Sequence, residues 1–284
     1  MGTKQGQDKH RHHKQPQFFL KGFAFVNSGY QKKPDIWVYK KKHPYKDGIN
    51  PSLESVKDTG YGRDFYAFTK EDGTKDFNTY ENRLMREFEQ PAQPILEKII
   101  RLGEINEKEK EIFSKFIASM ITRGDWGKDK SKVAMELAIK AQLSANPNLP
   151  ESVLKIFDDE ISKLKSNGEI YRKQIISKAD LIAGYVKDMV WNFWISPKIV
   201  NYLTSDNPVS YSQFRHEEGY LIFPICSNIC LYATWHGSKD KMFKEVTTKI
   251  VEEVRDRIVT IAIKEVYFSR KSEWLVKFIN NRNN

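Results

Sequence analysis

Apolar and polar positions follow two different periods along this chain, and the change of period divides it into three stretches. The middle is helical. From Glu107 to Arg123, Ile112, Phe113, Phe116, Ile117, Met120 and Ile121 recur at one-turn steps, which predicts an amphipathic helix. Leu84, Phe88, Ile95, Leu96 and Ile99 give residues 78–101 the same spacing, and Pro91 and Pro94 predict two helical pieces or a kink there. Residues 130–143, 151–165 and 169–195 continue the helical pattern, with Asn146-Pro147-Asn148 and Asn167-Gly168 as turns between them.

On either side of this middle the period shortens. Pro16 to Phe23 reads as a short helix opened by proline, with Phe18, Phe19 and Phe23 on one face. Strand formers dominate Asp35–Lys42, and Leu53–Phe68 holds one or two short strands punctuated by Gly60 and Gly62. After Ser196-Pro197, Ile199–Leu203 is a strand candidate closed by Thr204-Ser205-Asp206-Asn207-Pro208. Tyr220–Cys226 and Ile229–Trp235 predict a hairpin around Ser227-Asn228. A helix over 245–263, a short strand or coil at Val266–Ser269 and a last helix to about Phe278 complete the pattern. This order predicts an α+β fold in which N- and C-terminal strands share a mostly antiparallel sheet around a helical middle region. Residues 1–11 read as a flexible leader and 12–284 as one domain, with 78–195 a mainly helical insertion.

Composition narrows the class. The 284 residues are 39% hydrophobic, 30% charged and 13% aromatic, values that exclude wholesale disorder, collagen-like repeats and a disulfide scaffold. No apolar run approaches the roughly 20 residues needed to span a bilayer. The basic N-terminus lacks the apolar stretch of a secretory signal. The two cysteines, Cys226 and Cys230, do not by themselves complete a four-ligand zinc site, and a reduced, cytoplasmic protein is the expectation.

The net charge of +10 is unevenly spread. Residues 1–48 hold eleven Lys/Arg against three acids, whereas the other 236 hold 36 against 34. A nearly neutral body thus carries a basic N-terminal sixth, suited either to a polyanion such as RNA or DNA or to a solvated surface. Arg11, Lys14, Gln17 and Lys21 are its candidate substrate-binding side chains.

Four constellations carry possible chemistry. His12-His13 stand just before a predicted helix N-terminus, where a neutral imidazole serves as base or ligand, or where both are exposed decoration. Ser205-Asp206-Asn207 follows a predicted strand, either as a well-made turn or as oxygen ligands for Mg²⁺ or Mn²⁺. Glu81 and Glu89, eight residues apart, point roughly the same way on a helix, as paired carboxylates or as a face salt-bridged to Arg83 and Arg86. Arg123 ends the clearest helix, where a cation complements the dipole or holds a phosphate. Phosphate-binding glycine loops, HExxH and GxSxG are missing from the sequence.

The order of these motifs resembles a bacterial family called domain of unknown function 4238. His12-His13-x-x-Pro16-Gln17-Phe18-Phe19-Leu20-Lys21-x-Phe23 resembles its HHxxPQxYLxxF opening, and Asp35-Ile36-Trp37-Val38-Tyr39 is similar to its Trp-containing strand. Asp64-Phe65-Tyr66, Glu81-x-x-Leu84 with Phe88-Glu89, and Phe116-Ile117-Ala118 leading to Arg123 are similar to later elements. Thr204-Ser205-Asp206-Asn207-Pro208-Val209 matches its SDNPV signature, and Phe223-Pro224-Ile225 resembles the FPL step after it. Two positions depart from the pattern: Phe19 stands where the family has Tyr, and Glu81 and Glu89 are one residue further apart. The resemblance implies that the His, Glu, Arg and Asp positions form one site.

These residues together predict a metal-assisted phosphodiesterase or nuclease, of a bacterial defence or toxin type. In it Glu89, Asp206 and Asn207 hold Mg²⁺ or Mn²⁺. His12, His13, Arg123 and Ser205 do the catalysis. The alternatives are a nucleic-acid-binding protein that is a homo-oligomer or a subunit of a defence complex, and a nucleotide sensor.

Overall fold

In the computed structural model the described residues are 10–26, 33–41, 51–70, 72–123, 168–212, 216–237 and 242–283. The expected helices at 130–143 and 151–165 lie outside them, as do most residues of the basic N-terminal leader.

The N-terminal part begins with β1 (Arg11–His13), the short helix α1 (Gln17–Leu20) and a 3₁₀ turn at Lys21–Phe23. β2 (Phe25–Val26), β3 (Pro34–Lys40), β4 (Ser52–Ser55) and β5 (Tyr61–Arg63) follow. Arg11, assigned to the leader from sequence, pairs with Arg63 as β1 runs antiparallel to β5. Gly60 makes this possible: its φ of +67° turns the chain, and its carbonyl accepts both Lys14 N–H and Gln15 N–H. A small hairpin, β6 (Phe68–Thr69) and β7 (Lys75–Asp76), leads into the helices.

The helical middle comprises α2 (Thr79–Leu84), a π turn (Met85–Glu89), α3 (Gln90–Ile100), α4 (Glu107–Thr122) and α5 (Gly168–Asp188). The irregularity expected from Pro91 and Pro94 falls just earlier, at the π turn, from which the helix runs on through Pro91 and Pro94 into α3. Asn106 opens α4 with a reciprocal cap: its side chain accepts Glu109 N–H, and Glu109 accepts Asn106 N–H. The helix expected over 169–195 ends at Asp188, and Val190–Ile195 is a strand, β8. Its Val-Trp-Asn-Phe-Trp-Ile run gains more as a strand, because Trp194 stacks on Tyr232 of the neighbouring strand with ring centroids 4.1 Å apart.

β9 (Thr204–Ser205), β10 (Ser210–Ser212), β11 (Tyr220–Cys226), β12 (Ile229–Thr234), β13 (Phe243–Glu245), α6 (Thr248–Ile261), β14 (Glu265–Phe268) and α7 (Glu273–Asn283) complete the order. The strand expected at 199–203 is irregular backbone, with Tyr202 N–H donating to Ser227 O, and the strand begins only at Thr204. The β11–β12 hairpin has the expected turn.

Two five-stranded sheets result. One runs β10-β11-β12-β8-β13, antiparallel except for the β13–β8 pair. The other joins the chain's two ends: N-terminal β3 lies antiparallel to C-terminal β14, which pairs with β9, while β2 and β4 pair with β3. The fold is α+β, with N- and C-terminal strands in one antiparallel sheet and a helical middle. The core between helices and sheet is aromatic. Phe19 stacks on Phe223 at 5.2 Å, and Phe116 packs against both. Phe19 is fully buried in this cluster, so a tyrosine hydroxyl there would need a buried partner.

Candidate functional site

The two histidines of the opening motif face different surroundings because successive strand residues point to opposite sides. His12 is wholly buried. Its Nδ1 accepts the N–H of Tyr66 at 2.7 Å and its Nε2 donates to the Phe77 carbonyl at 2.7 Å. Both ring nitrogens are spent on backbone, so His12 clamps β1 to the segments around residues 66 and 77.

His13 points into a cleft of about 470 Å³ lined by Arg11, His13, Gln17, Lys21, Glu81 and Glu89, with Pro16, Phe18, Tyr66, Leu84, Met85 and Gln93 as its less polar walls. Gln17 Nε2 stands 3.0 Å from His13 Nε2. An amide nitrogen only donates, so His13 Nε2 accepts and the ring proton resides on Nδ1. That Nδ1 is buried and has no partner. Burial holds the His13 pKa below its ordinary value; Glu81 and Glu89 oppose this and Arg11 and Arg123 reinforce it. The imidazole is therefore uncharged at neutral pH.

Glu81 reaches the same cleft from α2. Its Oε1 accepts the His13 backbone N–H at 3.2 Å, while Oε2 is buried without a partner. On an unbroken α-helix, residues eight apart stand about 80° apart around the axis. The π turn at Met85–Glu89 takes up one extra residue and returns Glu89 to within roughly 20° of Glu81. The longer spacing noted in the sequence is thus absorbed locally, and both carboxylates line one cleft.

Arg123 lies beneath Glu89. Its guanidinium is fully buried; Nη1 donates to Glu89 Oε1, and Nη2 approaches the Met120 sulfur at 2.7 Å. It holds Glu89 in position and does not line the cleft itself. Arg11 does line it, half-held by Asp58 at 3.0 Å and by the Tyr61 ring at 4.0 Å. Lys21 is exposed at the rim. Lys14 instead covers the Phe65 ring, 4.5 Å from its centroid.

The Ser-Asp-Asn loop is placed differently from the expected metal site. Ser205 Oγ donates to Asn207 O at 2.7 Å and accepts Asn207 N–H, which is the turn its composition favours. Asn207 Nδ2 donates to Ile261 O. Asp206 receives Ile263 N–H and Lys264 N–H on its two carboxylate oxygens, at 2.9 and 2.7 Å. Burial nevertheless pushes its pKa up to about 6. The Asp206 and Asn207 side chains tie the loop after β9 to the end of α6 and the residues that follow it. The intended metal ligands Glu89, Asp206 and Asn207 are thus each committed to protein partners. Among the described residues there is no group of three or more His, Cys, Asp or Glu able to hold a metal. The loop meets the opening motif through one contact, Gln15 Nε2 donating to Asp206 O at 3.0 Å.

Of the residues singled out in the sequence, the structure gathers Arg11, His13, Gln17, Lys21, Glu81 and Glu89 at one cleft, with Arg123 behind it. It places His12, Lys14, Ser205, Asp206 and Asn207 elsewhere. Tyr66, from the Asp64-Phe65-Tyr66 step, and Gln93, one helical turn after Glu89, are further lining residues that were not candidates for the chemistry. No helix among the described residues is long and apolar enough to cross a membrane. A family model described as a protein of unknown function (DUF4238) matches residues 11–272. No curated protein and no solved structure matches the chain at a significant level.

Proposed function

We propose that the cleft of this chain, which belongs to the DUF4238 family of proteins of unknown function, binds a nucleic-acid phosphodiester and cleaves it with the protein's own acid–base groups. The observation that supports this is the pair of buried, unpartnered polar atoms in one cleft, a donor at His13 Nδ1 and an acceptor at Glu81 Oε2. A buried polar atom without a partner is costly, so a ligand that satisfies both is favoured. In the proposed reaction Glu81 takes the proton of the attacking hydroxyl or water as its oxygen bonds to phosphorus. His13 N–H holds a non-bridging phosphate oxygen. Arg11 and Lys21 offset the charge, and the departing oxygen is protonated by water. Arg123 holds Glu89 in place beside this pair.

The test is cleavage of RNA and DNA oligonucleotides with and without a chelator. Cleavage insensitive to the chelator and reduced at least about 100-fold in Glu81→Gln supports the reading. No cleavage of either polymer, or equal cleavage by wild type and Glu81→Gln, overturns it. Salt-dependent binding without turnover would make the same cleft a recognition site.

A further inference from the structure

On another part of the surface, α6, the end of β14 and the start of α7 enclose a second pocket of about 610 Å³. Three cations line it: Arg255 from α6, and Arg270 and Lys271 from the connection between β14 and α7. Arg255 is 7% exposed. Its Nε donates to Asn201 O at 2.6 Å, but one of its terminal nitrogens, Nη2, is buried with no partner. Arg270 approaches the same aromatic ring: the two guanidinium carbons lie 5.3 and 5.5 Å from the Phe268 centroid.

Burial, reinforced by the charge of Arg270 beside the same ring, lowers the Arg255 pKa to about 10. Glu252 and Asp256 line the pocket as well and relieve part of this charge. The Nη2 hydrogens of Arg255 remain unanswered. The loop that carries Arg270 is held in place: Tyr39 OH donates to Arg270 O at 3.0 Å and accepts Ser272 N–H at 2.7 Å. The backbone that presents Arg270 and Lys271 is therefore fixed, which lowers part of the entropic cost of binding. Trp274, 39% exposed, forms an aromatic wall beside them.

We infer that this pocket is an oxyanion site that takes a phosphomonoester, with Arg255 Nη2 and Arg270 as the donors to its terminal oxygens. A phosphomonoester presents nearly two negative charges and three acceptor oxygens, which suits two guanidiniums and an ammonium better than a carboxylate does. The group is carried either by a free nucleotide or by the end of a nucleic-acid strand, with Trp274 placed to meet a base. This site is separate from the His13 cleft and does not depend on the activity proposed there.

The full chain is titrated with AMP, with 5′-phosphorylated and 5′-hydroxyl oligonucleotides of one sequence, and with succinate. Binding is read by calorimetry. Saturable binding of AMP, or of the 5′-phosphorylated strand over its 5′-hydroxyl counterpart, weakened at least tenfold by Arg270→Gln, is the expected result. The two arms show which molecule carries the phosphate. Arg270 is exposed, so its variant tests the site without disturbing the core; Arg255→Lys, which keeps the charge but loses the fork, is the second variant and is expected to weaken binding as well. Three results overturn the inference: binding of succinate alone, no phosphomonoester binding, and binding unaltered by Arg270→Gln but abolished by Arg11→Gln.

Discussion

The side chain of Gln15 donates a hydrogen bond to the backbone carbonyl of Asp206, joining positions 191 residues apart. Gln15 is completely buried, between the opening motif and the Ser-Asp-Asn-Pro-Val loop, so the two most specific sequence elements of the chain are one structural joint. The joint orients β1, and β1 aims His13 at the cleft. Gln15→Leu is expected to lower stability by about 1 kcal/mol or somewhat more, since Asp206 O then lacks this donor. Urea unfolding measures it; an unchanged midpoint would show that the joint contributes nothing.

Arg123, fully buried, is paired with Glu89, which is partly exposed in the cleft, and removing one side strands the other. Arg123→Met is expected to destabilise by about 2 kcal/mol, because Glu89 Oε1 then loses its guanidinium donor. Adding Glu89→Gln should recover part of that loss. A double-mutant cycle with no coupling between the two positions would contradict the pairing.

The carboxyl of Asp206 titrates in the wrong direction for a stabilising ion. Its folded pKa of about 6 exceeds the ordinary value of 3.8, so the native state holds the proton more tightly than the unfolded chain does. Its stabilising contribution is full below about pH 4 and is lost as pH rises through 6. The stability difference between wild type and Asp206→Asn should therefore shift against wild type over this window. A difference that is flat from pH 4 to 7 would contradict it.

The His13 ring offers a sign test of the cleft. Burial lowers its pKa most; Glu81 opposes that effect and Arg11 adds to it. Glu81→Gln should move the His13 titration to lower pH and Arg11→Gln to higher pH. Because the folded value lies below the unfolded one, the stability His13 contributes is present above about pH 6.5 and falls away at lower pH. Imidazole nitrogen NMR follows the titration and also reads the tautomer, expected as Nδ1–H at His13 and Nε2–H at His12.

Thiol chemistry should be slow in the native state. Cys226 and Cys230 are buried in the β11–β12 hairpin, and burial pushes the Cys226 thiol up to about 11. Iodoacetamide at neutral pH is expected to label both only on unfolding; rapid native labelling would show that the hairpin opens.

Local pattern carried much of the architecture. The one-turn repeat around Phe113 and Phe116, the strand formers from Asp35, and the Ser227-Asn228 turn each specify an element through contacts between near neighbours in sequence. The same locality made Val190–Ile195 unreadable. A run of bulky apolar residues suits a buried helix or a buried strand, and only pairing with β12 on one edge and β13 on the other decides for strand. The chain alone likewise determined which residue types were available for chemistry: two adjacent histidines, two glutamates, an arginine and the Ser-Asp-Asn loop. Which of them meet was decided by tertiary structure. Strand alternation sends His12 inward to backbone and His13 to the cleft, a π turn rotates Glu89 back beside Glu81, and the ends of α6 and β14 take both oxygens of Asp206. Convergence of side chains depends on where separate elements pack, and that is set by the burial of the whole core, which no local spacing records.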